Sequence, residues 1–352
     1  MTRNQSLDAY RGFVMFLMLA EVLRLSKVAQ DFPDSAFWAF LAYHQSHVEW
    51  AGCSLHDMIQ PSFSFLVGAA LPYSIAARLA SGAGERKLFA HAIWRAFVLV
   101  ALGIFLRSTH STQTNYTFED TLTQIGLGYP FLFLLGWRPP KWAWIALGVI
   151  LGGYWLAWIL YPVPDPWAKN NSLGHFFDVW FLNLFPRAKP FEANRGGYLT
   201  LSFIPTLGTM ILGLIAGRWL RESMSYSKLL LTGAASIAVG LLLHATGVCP
   251  IVKRIWTPAW VLFSGGVCFL LTAAFHWVVE TKNQRKWAFP LLVVGTNSIA
   301  AYLIAHLFDA FIASSLQIHL GERLLAFHGA LVLISYWLIL LWMYKRKLFL
   351  KV

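Results

Sequence analysis

The sequence predicts an all-α, polytopic membrane protein with about ten transmembrane helices and both termini in the cytoplasm. Of its 352 residues, 57% are hydrophobic and only 12% are charged, and the chain contains 17 Trp and 27 Phe. A water-soluble domain of this length does not tolerate such a composition. Long apolar stretches, separated by short basic connections, recur along the whole chain. These observations together indicate a helical membrane protein.

Ten apolar segments are long enough to cross about 30 Å of hydrocarbon as helices. They lie at 12–26, 57–78, 88–107, 121–137, 142–161, 199–220, 228–247, 257–279, 288–311 and 324–344. No soluble domain or internal repeat separates them, so we interpret residues 1–352 as a single transmembrane domain. Its long outer loops are about 27–56 and 162–198.

Basic residues set the predicted orientation. An N-terminus in the cytoplasm places most of the 28 Lys and Arg residues on the cytoplasmic side, in the short connections, as the positive-inside rule requires. The net charge of +12 is then spread over helix ends instead of one face of a soluble module. This distribution argues against nucleic acid as a partner.

Cys53, Cys249 and Cys268 are too few for a disulfide framework. Cys53 and Cys249 fall on the outer side in the predicted topology, so a bridge between them remains an open alternative. Cys268 lies within a span. We interpret all three as apolar filler.

Titratable side chains cluster at the outer lip of the second span, at His44, His47, Glu49, His56 and Asp57. Charged groups and imidazoles are costly at the edge of hydrocarbon, so the cluster indicates a functional site. The spacing of His44 and His47 could ligate zinc in a helix, but no second helical pair accompanies them. No metal is therefore expected.

The first span also contains polar groups. Asp8 and Arg11 begin it three residues apart, so they share a face and can pair. Glu21 lies in its outer half. A carboxylate at that depth needs a partner or a proton, and His47 and Asp57 are expected at similar depth. Bonding of Glu21 to a neighbouring helix is the structural alternative.

The ninth span contains a polar stripe. After Asn297, positions Ser298, Tyr302, His306 and Asp309 repeat at intervals of four, four and three. This spacing predicts that they line one face of a helix. A polar face within a membrane helix must meet a cavity or other helices.

The 162–198 loop is rich in Trp, Asn and acidic residues, and includes Trp180. Aromatic rings stack on the apolar faces of sugars, and amides and carboxylates bond their hydroxyl groups. The loop is thus a candidate glycan-binding region. An interfacial aromatic belt with a lid-like loop is the alternative.

Together the motifs resemble the heparan-α-glucosaminide N-acetyltransferase family of transmembrane acyltransferases. Four segments carry the resemblance and occur in the same order over most of the chain. They are Ser6-Leu7-Asp8-Ala9-Tyr10-Arg11-Gly12; His47-Val48-Glu49-Trp50-Ala51-Gly52 with Asp57 and Pro61; Gly197-Tyr198-Leu199 leading to Gly213-Leu214-Ile215-Ala216-Gly217; and Gly295-Thr296-Asn297-Ser298.

The resemblance implies transfer of an acetyl group from cytoplasmic acetyl-CoA, the co-substrate, to an amino sugar or glycan acceptor across the membrane. It implies that His47 is the general base or the nucleophile. Eukaryotic members carry an asparagine late in the first span that is taken to assist this histidine. This chain has Ala20-Glu21-Val22 there, so Glu21 is expected to assume part of that role. Either Glu21 or Asp57 is expected to tune His47.

Under this interpretation the remaining candidates divide between the two substrates. The acetyl-CoA candidates are Arg11, Asn297, Ser298 and Tyr302, and the acceptor candidates are Glu49, Trp50, His306 and Trp180. Because this sequence starts without the N-terminal extension of the lysosomal members, the resemblance leads us to expect a bacterial inner-membrane enzyme. Its other expected partners are membrane lipids, and a homodimer remains open.

Two other classes of function compete with the enzyme. One is a transporter or lipid-linked sugar carrier that uses Glu21, His47 and Asp57 as a polar relay. Inverted repeats would favour it, and the sequence contains no clear pair. The other is a scaffold membrane protein, which leaves the polar cluster unexplained.

Overall fold

The computed structural model describes residues 4–82, 84–222, 225–320 and 327–350. In these ranges the chain is helical, and one isolated antiparallel bridge joins Ala51 to Val252. The α-helices are α1 (Gln5–Leu19), α2 (Leu25–Gln30), α3 (Ala36–His44), α4 (Ile59–Ala80), α5 (Glu85–Ser108), α6 (Thr121–Gly136), α7 (Pro140–Leu160), α8 (Leu173–Leu182), α9 (Phe203–Glu222), α10 (Tyr226–Ala245), α11 (Pro258–His276), α12 (Phe289–Gly295), α13 (Ser298–Leu307), α14 (Asp309–Leu320) and α15 (His328–Lys345).

Seven of the described helices are long and apolar enough to cross a membrane: α4, α5, α7, α9, α10, α11 and α15. The pair α12 and α13 would be an eighth span, bent by 75°. The protein is therefore a multi-pass membrane protein. The other two predicted spans correspond to α6, with 16 residues, and α1, with 15, so ten spans remain a prediction.

The centre of the bundle is formed by α4 and α9. Gly213 faces the backbone of Phe65, and Gly217 faces the backbone of Ala69, so closely that a Cβ at either glycine would overlap a carbonyl group. Gly68 faces the backbone of Met210 in the same way. Small residues allow membrane helices to approach at backbone distance, where van der Waals packing and not the hydrophobic effect holds them.

The ninth predicted span is broken. The chain bends by 75° between α12 and α13, and α13 ends at Leu307. Asp309 therefore begins a new helix, where it accepts a hydrogen bond from the Tyr336 hydroxyl at 2.7 Å. The prediction of one face from Ser298 to Asp309 is wrong for Asp309, because Phe308 leaves the helical conformation with φ −115° and ψ 2°.

The first and last described residues, Asn4 and Leu350, lie at the same end of the bundle. Asn4 donates to the Tyr73 hydroxyl near the end of α4, and Glu280, after α11, accepts from the backbone of Gln5. The Leu348 carbonyl accepts a hydrogen bond from Asn297. Asn297 lies two residues after Gly295, which packs against the backbone of Asp8. The side of the membrane that this end faces remains a prediction.

We expect this end to be cytoplasmic. In a variant with its three native cysteines replaced, a cysteine at Lys189 should react with an impermeant maleimide added from outside, and one at Gln284 should react only after permeabilisation. Both positions are exposed in the structure, so access depends on the membrane and not on burial. Reaction of the opposite set would reverse the orientation.

Candidate active site

The loop between α3 and α4 is organised around Asp57. One oxygen of this carboxylate, Oδ2, accepts from the backbone N–H groups of Val48 at 3.2 Å and Ser54 at 3.0 Å, and from the Ser54 hydroxyl at 3.0 Å. The Asp57 side chain is only 1% exposed. A buried carboxylate is stabilised by such donors. The loop therefore has one defined conformation.

The other carboxylate oxygen of Asp57 orients His47. Nδ1 of His47 lies 2.8 Å from Asp57 Oδ1, and the His47 side chain is 39% exposed. Because a carboxylate accepts hydrogen bonds, the contact assigns the ring proton to Nδ1. Nε2 then keeps its lone pair for a substrate, as the histidine of a hydrolase triad does. The structure thus brings together His47 and Asp57, which the sequence analysis expected at similar depth, and the contact holds the imidazole in one orientation.

Lys253 is the third member of this group, and sequence reasoning did not select it. Its Nζ lies 3.3 Å from Asp57 Oδ1 and 3.2 Å from His47 Nδ1, and its side chain is 4% exposed. It comes from the loop between α10 and α11, 206 residues from His47. One signal was present, since a lysine in an outer loop opposes the positive-inside bias.

The Lys253 loop is docked on the His47 loop by backbone contacts. Gly52 N–H donates to the Ile251 carbonyl at 3.0 Å. Arg254 donates to the carbonyls of Val48 at 3.2 Å and Gly196 at 2.6 Å. Three separate chain segments thus meet at one site.

Burial lowers the pKa of His47, and the charges of Lys253 and His56 lower it further. The hydrogen bond to Asp57 opposes this shift without reversing it. Burial also lowers the pKa of Lys253, with Asp57 acting in the opposite direction. A histidine whose pKa lies below its usual value is neutral at physiological pH and can accept a proton.

Glu21 contacts a different histidine from the one expected. Its Oε1 lies 2.7 Å from Nε2 of His56, which is 6% exposed. The rings of His56 and His47 are 4.6 Å apart between centroids. Glu21 therefore approaches His47 only through His56, and its own side chain remains 56% exposed.

His47 opens into a cavity of about 350 Å³, which we call the outer cavity. Its polar lining includes Glu21, His56, Arg107, Glu119, Lys253 and His306. Glu119 precedes α6, and burial raises the pKa of its carboxyl group. Arg107 and Glu119 were not predicted, since they are ordinary loop and helix-end residues in the sequence.

A second cavity of about 350 Å³, the inner cavity, lies at the end of the bundle that carries the chain termini. Its lining includes three cationic side chains, Arg11, Arg78 and Arg95. Arg11 is paired with Asp8 at 2.9 Å, as predicted, and Arg95 lies over the Tyr129 ring at 4.6 Å. The outer cavity thus combines acidic, histidine and basic side chains, whereas the charged side chains that line the inner cavity are the three arginines.

The two cavities share three lining residues, Phe63, Thr121 and Tyr302. Tyr302 comes from α13, immediately after the helix break, and its ring stacks on His306 at 4.1 Å. The two cavities therefore adjoin each other at these side chains. A path from the Arg11 end to the His47 end would pass them at a narrow point beside Tyr302.

The structure brings three of the four predicted acetyl-CoA candidates into one cavity and leaves the fourth outside it. Ser298 and Tyr302 line the inner cavity with Arg11. Asn297 does not line it, because its amide donates to the Leu348 carbonyl at 2.8 Å and accepts from Leu350 N–H at 3.0 Å. Asn297 therefore holds the C-terminal segment against the helix break.

The acceptor candidates are also dispersed. His306 lines the outer cavity, and Glu49 is exposed outside it. Trp50 donates to the Trp167 carbonyl at 3.1 Å and so joins the two outer loops. Trp180 is 61% exposed and packs beside Phe177 on α8. Of the four, only His306 lines the same cavity as His47.

The three cysteines are free thiols, so the open alternative of a Cys53–Cys249 bridge is not realised. The described ranges contain no group of three or more His, Cys, Asp or Glu residues that could hold a metal ion. His44 bonds the backbone of Leu55 through its Nδ1.

Comparison with known proteins gives two relatives of the same name. The proteins named heparan-alpha-glucosaminide N-acetyltransferase from Homo sapiens and Mus musculus are each 22% identical to this chain over 421 aligned positions, which cover 99% of the chain. The chain spans 60% of the length of these relatives. No family model matches it. The similarity over the full chain supports a distant relationship to the family that these two N-acetyltransferases represent.

Proposed function

We propose that the protein is a transmembrane acetyltransferase. It would take an acetyl group from cytoplasmic acetyl-CoA and transfer it to an amino sugar or glycan acceptor on the opposite side, which we place in the periplasm of a bacterial inner membrane. The observation that carries the proposal is the pair of cavities that meet at Tyr302, with guanidinium groups at one end and the His47–Asp57 pair at the other.

The inner cavity suits the donor. Phosphate groups are bound by guanidinium groups through charge-assisted hydrogen bonds, and Arg11, Arg78 and Arg95 line this cavity. Ser298 and Tyr302 line the continuation toward the narrow point. A long donor with its phosphates among the arginines could extend its thioester through this point to His47.

The outer cavity suits the transfer itself. Nε2 of His47 takes a proton from the acceptor amine while the nitrogen attacks the thioester carbonyl. Collapse of the tetrahedral intermediate breaks the carbon–sulfur bond, and the thiolate recovers the proton from the imidazolium. Alternatively Nε2 attacks the thioester carbonyl first, the carbon–sulfur bond breaks, and CoA leaves as a thiolate, which gives an acetyl-imidazole. The amine then attacks the acetyl carbonyl, the bond from this carbon to Nε2 breaks, and the proton that the amine loses goes to the thiolate. The same Asp57 contact orients the ring in both routes.

Carboxylates in the outer cavity suit an acceptor with amine or hydroxyl donors. Glu21 and Glu119 both line it, and each can accept hydrogen bonds from such groups. Glu49, Trp50 and Trp180 lie outside the lining, so any contact they make with a glycan would involve its more distant residues.

The test is binding and turnover by the purified protein. Acetyl-CoA should raise the thermal stability by mass action, by about 2.7 kcal/mol at a hundred times Kd, and acetyl should appear on an amino sugar. Arg78→Ala should weaken binding, while Lys228→Ala, which removes an exposed basic residue outside the cavity, should not. A folded protein that shows no stabilisation at millimolar acetyl-CoA would contradict the proposal and favour the transporter.

A further inference from the structure

Lys253 is buried beside His47 and Asp57, and the mechanism proposed above gives it no role. Its Nζ, Asp57 Oδ1 and His47 Nδ1 form a triangle with sides of 3.3, 3.2 and 2.8 Å. Lys253 and Asp57 are 4% and 1% exposed. A buried ammonium group needs a counter-charge, and Asp57 supplies it. The ammonium group thus lies beside Nδ1 of His47, the ring nitrogen that contacts Asp57, and not beside Nε2.

We propose that Lys253 is a positioning residue for His47, whose ammonium group neutralises Asp57 and so keeps the imidazole uncharged with its proton on Nδ1. Its predicted effect on turnover rests on the acetyltransferase function proposed above. The protonation state itself can be measured without that function.

Charge counting gives the physical reason. With Lys253 protonated, Asp57 ionised and His47 neutral, the three groups carry no net charge. Protonation of His47 would leave one unit of positive charge in a buried site that His56 also approaches, at 4.6 Å between ring centroids. In an Asp–His pair without the lysine, the carboxylate would stabilise the imidazolium instead. Lys253 therefore favours the form of His47 that can act as a base or nucleophile.

Hydrogen-bond counting leads to the same arrangement. Asp57 Oδ2 is occupied by three donors from the loop, so Oδ1 must serve both His47 and Lys253. An ammonium group can only donate, and Nζ of Lys253 lies 3.3 Å from Asp57 Oδ1 and 3.2 Å from His47 Nδ1. Nδ1 can either accept from Nζ or donate to Oδ1, and its shorter contact, at 2.8 Å, is with Oδ1. When Nζ and Nδ1 both donate to Oδ1, the imidazole is in the tautomer that leaves Nε2 unprotonated.

Docking of the loop does not require this ammonium group. The Gly52–Ile251 bond and the two Arg254 bonds already hold the 250–257 loop in place. A neutral side chain at position 253 should therefore leave the site assembled. The charge of Lys253 can be tested separately from its bulk.

Other charged groups face His47 from the surrounding elements, and the test keeps them unchanged. They are Glu21 after α1, His56 and Asp57 at the start of α4, Arg107 at the end of α5, Glu119 before α6 and His306 on α13. Only Asp57 and Lys253 are within hydrogen-bond distance of the His47 ring nitrogens in the described residues.

The direct experiment measures acylation of His47 by diethyl pyrocarbonate as a function of pH, resolved by peptide mass spectrometry on the full chain in detergent. Only the neutral imidazole reacts. Removal of a nearby positive charge should raise the pKa of His47, so Lys253→Gln should move the midpoint upward by about one unit or more. At pH values below the wild-type midpoint, His47 in Lys253→Gln should therefore react about tenfold more slowly than His47 in the wild type. Lys253→Arg should keep the wild-type midpoint.

Arg254→Gln is the matched control, because it removes docking bonds but not the ammonium group beside Asp57. It should leave the midpoint of His47 within a few tenths of a unit. A wild-type midpoint in folded Lys253→Gln would overturn the proposal. If the glutamine variant does not fold, a shifted midpoint in folded Lys253→Arg would overturn it equally.

Turnover provides the second measurement. The acid limb of the kcat profile should move upward in Lys253→Gln by the same amount as the acylation midpoint, and arginine should restore it. A merely structural lysine would lower kcat equally at every pH. Because acylation needs no substrate, a shifted midpoint without acetyl transfer would refute the proposed function and leave the role of Lys253 intact.

Discussion

Replacement of His47 by alanine is expected to lower acetyl transfer by roughly 10²–10⁴-fold, the range for a lost general acid–base group. The loss should be larger if an acetyl-imidazole forms. His47 is the ring in the outer cavity that a buried carboxylate orients at Nδ1, so no neighbour can replace it without moving. Initial rates of acetyl transfer, with thermal unfolding as the check on folding, measure the effect.

Affinity for acetyl-CoA should be nearly unchanged in His47→Ala, because the arginines that would hold the donor are at the other end of the path. The side chain is 39% exposed, so truncation should also leave stability close to that of the parent. Parent-like turnover in this variant would refute the assignment, and His306, in the same cavity, would be the next candidate.

Glu21→Gln separates two roles of the neighbouring carboxylate. An amide can still bond His56, so a purely structural Glu21 would leave turnover close to that of the parent. If the charge of Glu21 acts on the acceptor or, through His56, on His47, turnover should fall while folding is kept. The structure favours a smaller loss than in His47→Ala, since Glu21 contacts His56 and not His47.

Replacement of Gly213 by valine is expected to abolish the native packing of α4 against α9. Any Cβ at this position would overlap the Phe65 carbonyl, and backbone, unlike a flexible side chain, cannot move aside locally. Overpacking of a tight contact costs about 1–3 kcal/mol and occasionally more. Here two central helices must separate, so we expect the upper end of that range or failure to fold.

Gly148→Val is the matched control, because nothing lies within 4 Å of a Cβ at Gly148 on α7. Both substitutions place the same β-branched residue in an apolar helix, so the intrinsic helix preference cancels. Thermal unfolding in detergent and monodispersity on size exclusion compare them. Equal melting temperatures for the two variants would contradict the close contact of α4 with α9.

The approximate positions of the seven long apolar helices followed from the sequence, because the hydrocarbon of a membrane demands uninterrupted apolar stretches. The break in the ninth span and the helix α8 within the predicted 162–198 loop did not. The His47–Asp57 pair was also within reach of sequence reasoning, since ten residues of one loop separate the two and a buried acid beside a histidine is costly without a partner. The pairing of Asp8 with Arg11 depended only on local spacing. In each case the governing interaction lies within one segment of chain.

Tertiary structure alone decided the contacts between segments distant in the chain. Lys253 reaches His47 across 206 residues because the 250–257 loop docks on the His47 loop through backbone bonds, which no side-chain pattern encodes. Glu21 bonds His56, and Asn297 bonds the C-terminal segment, because the helix ends bring those groups nearest. The apolar pattern determines which segments form helices, whereas the close contacts between them determine which polar groups meet.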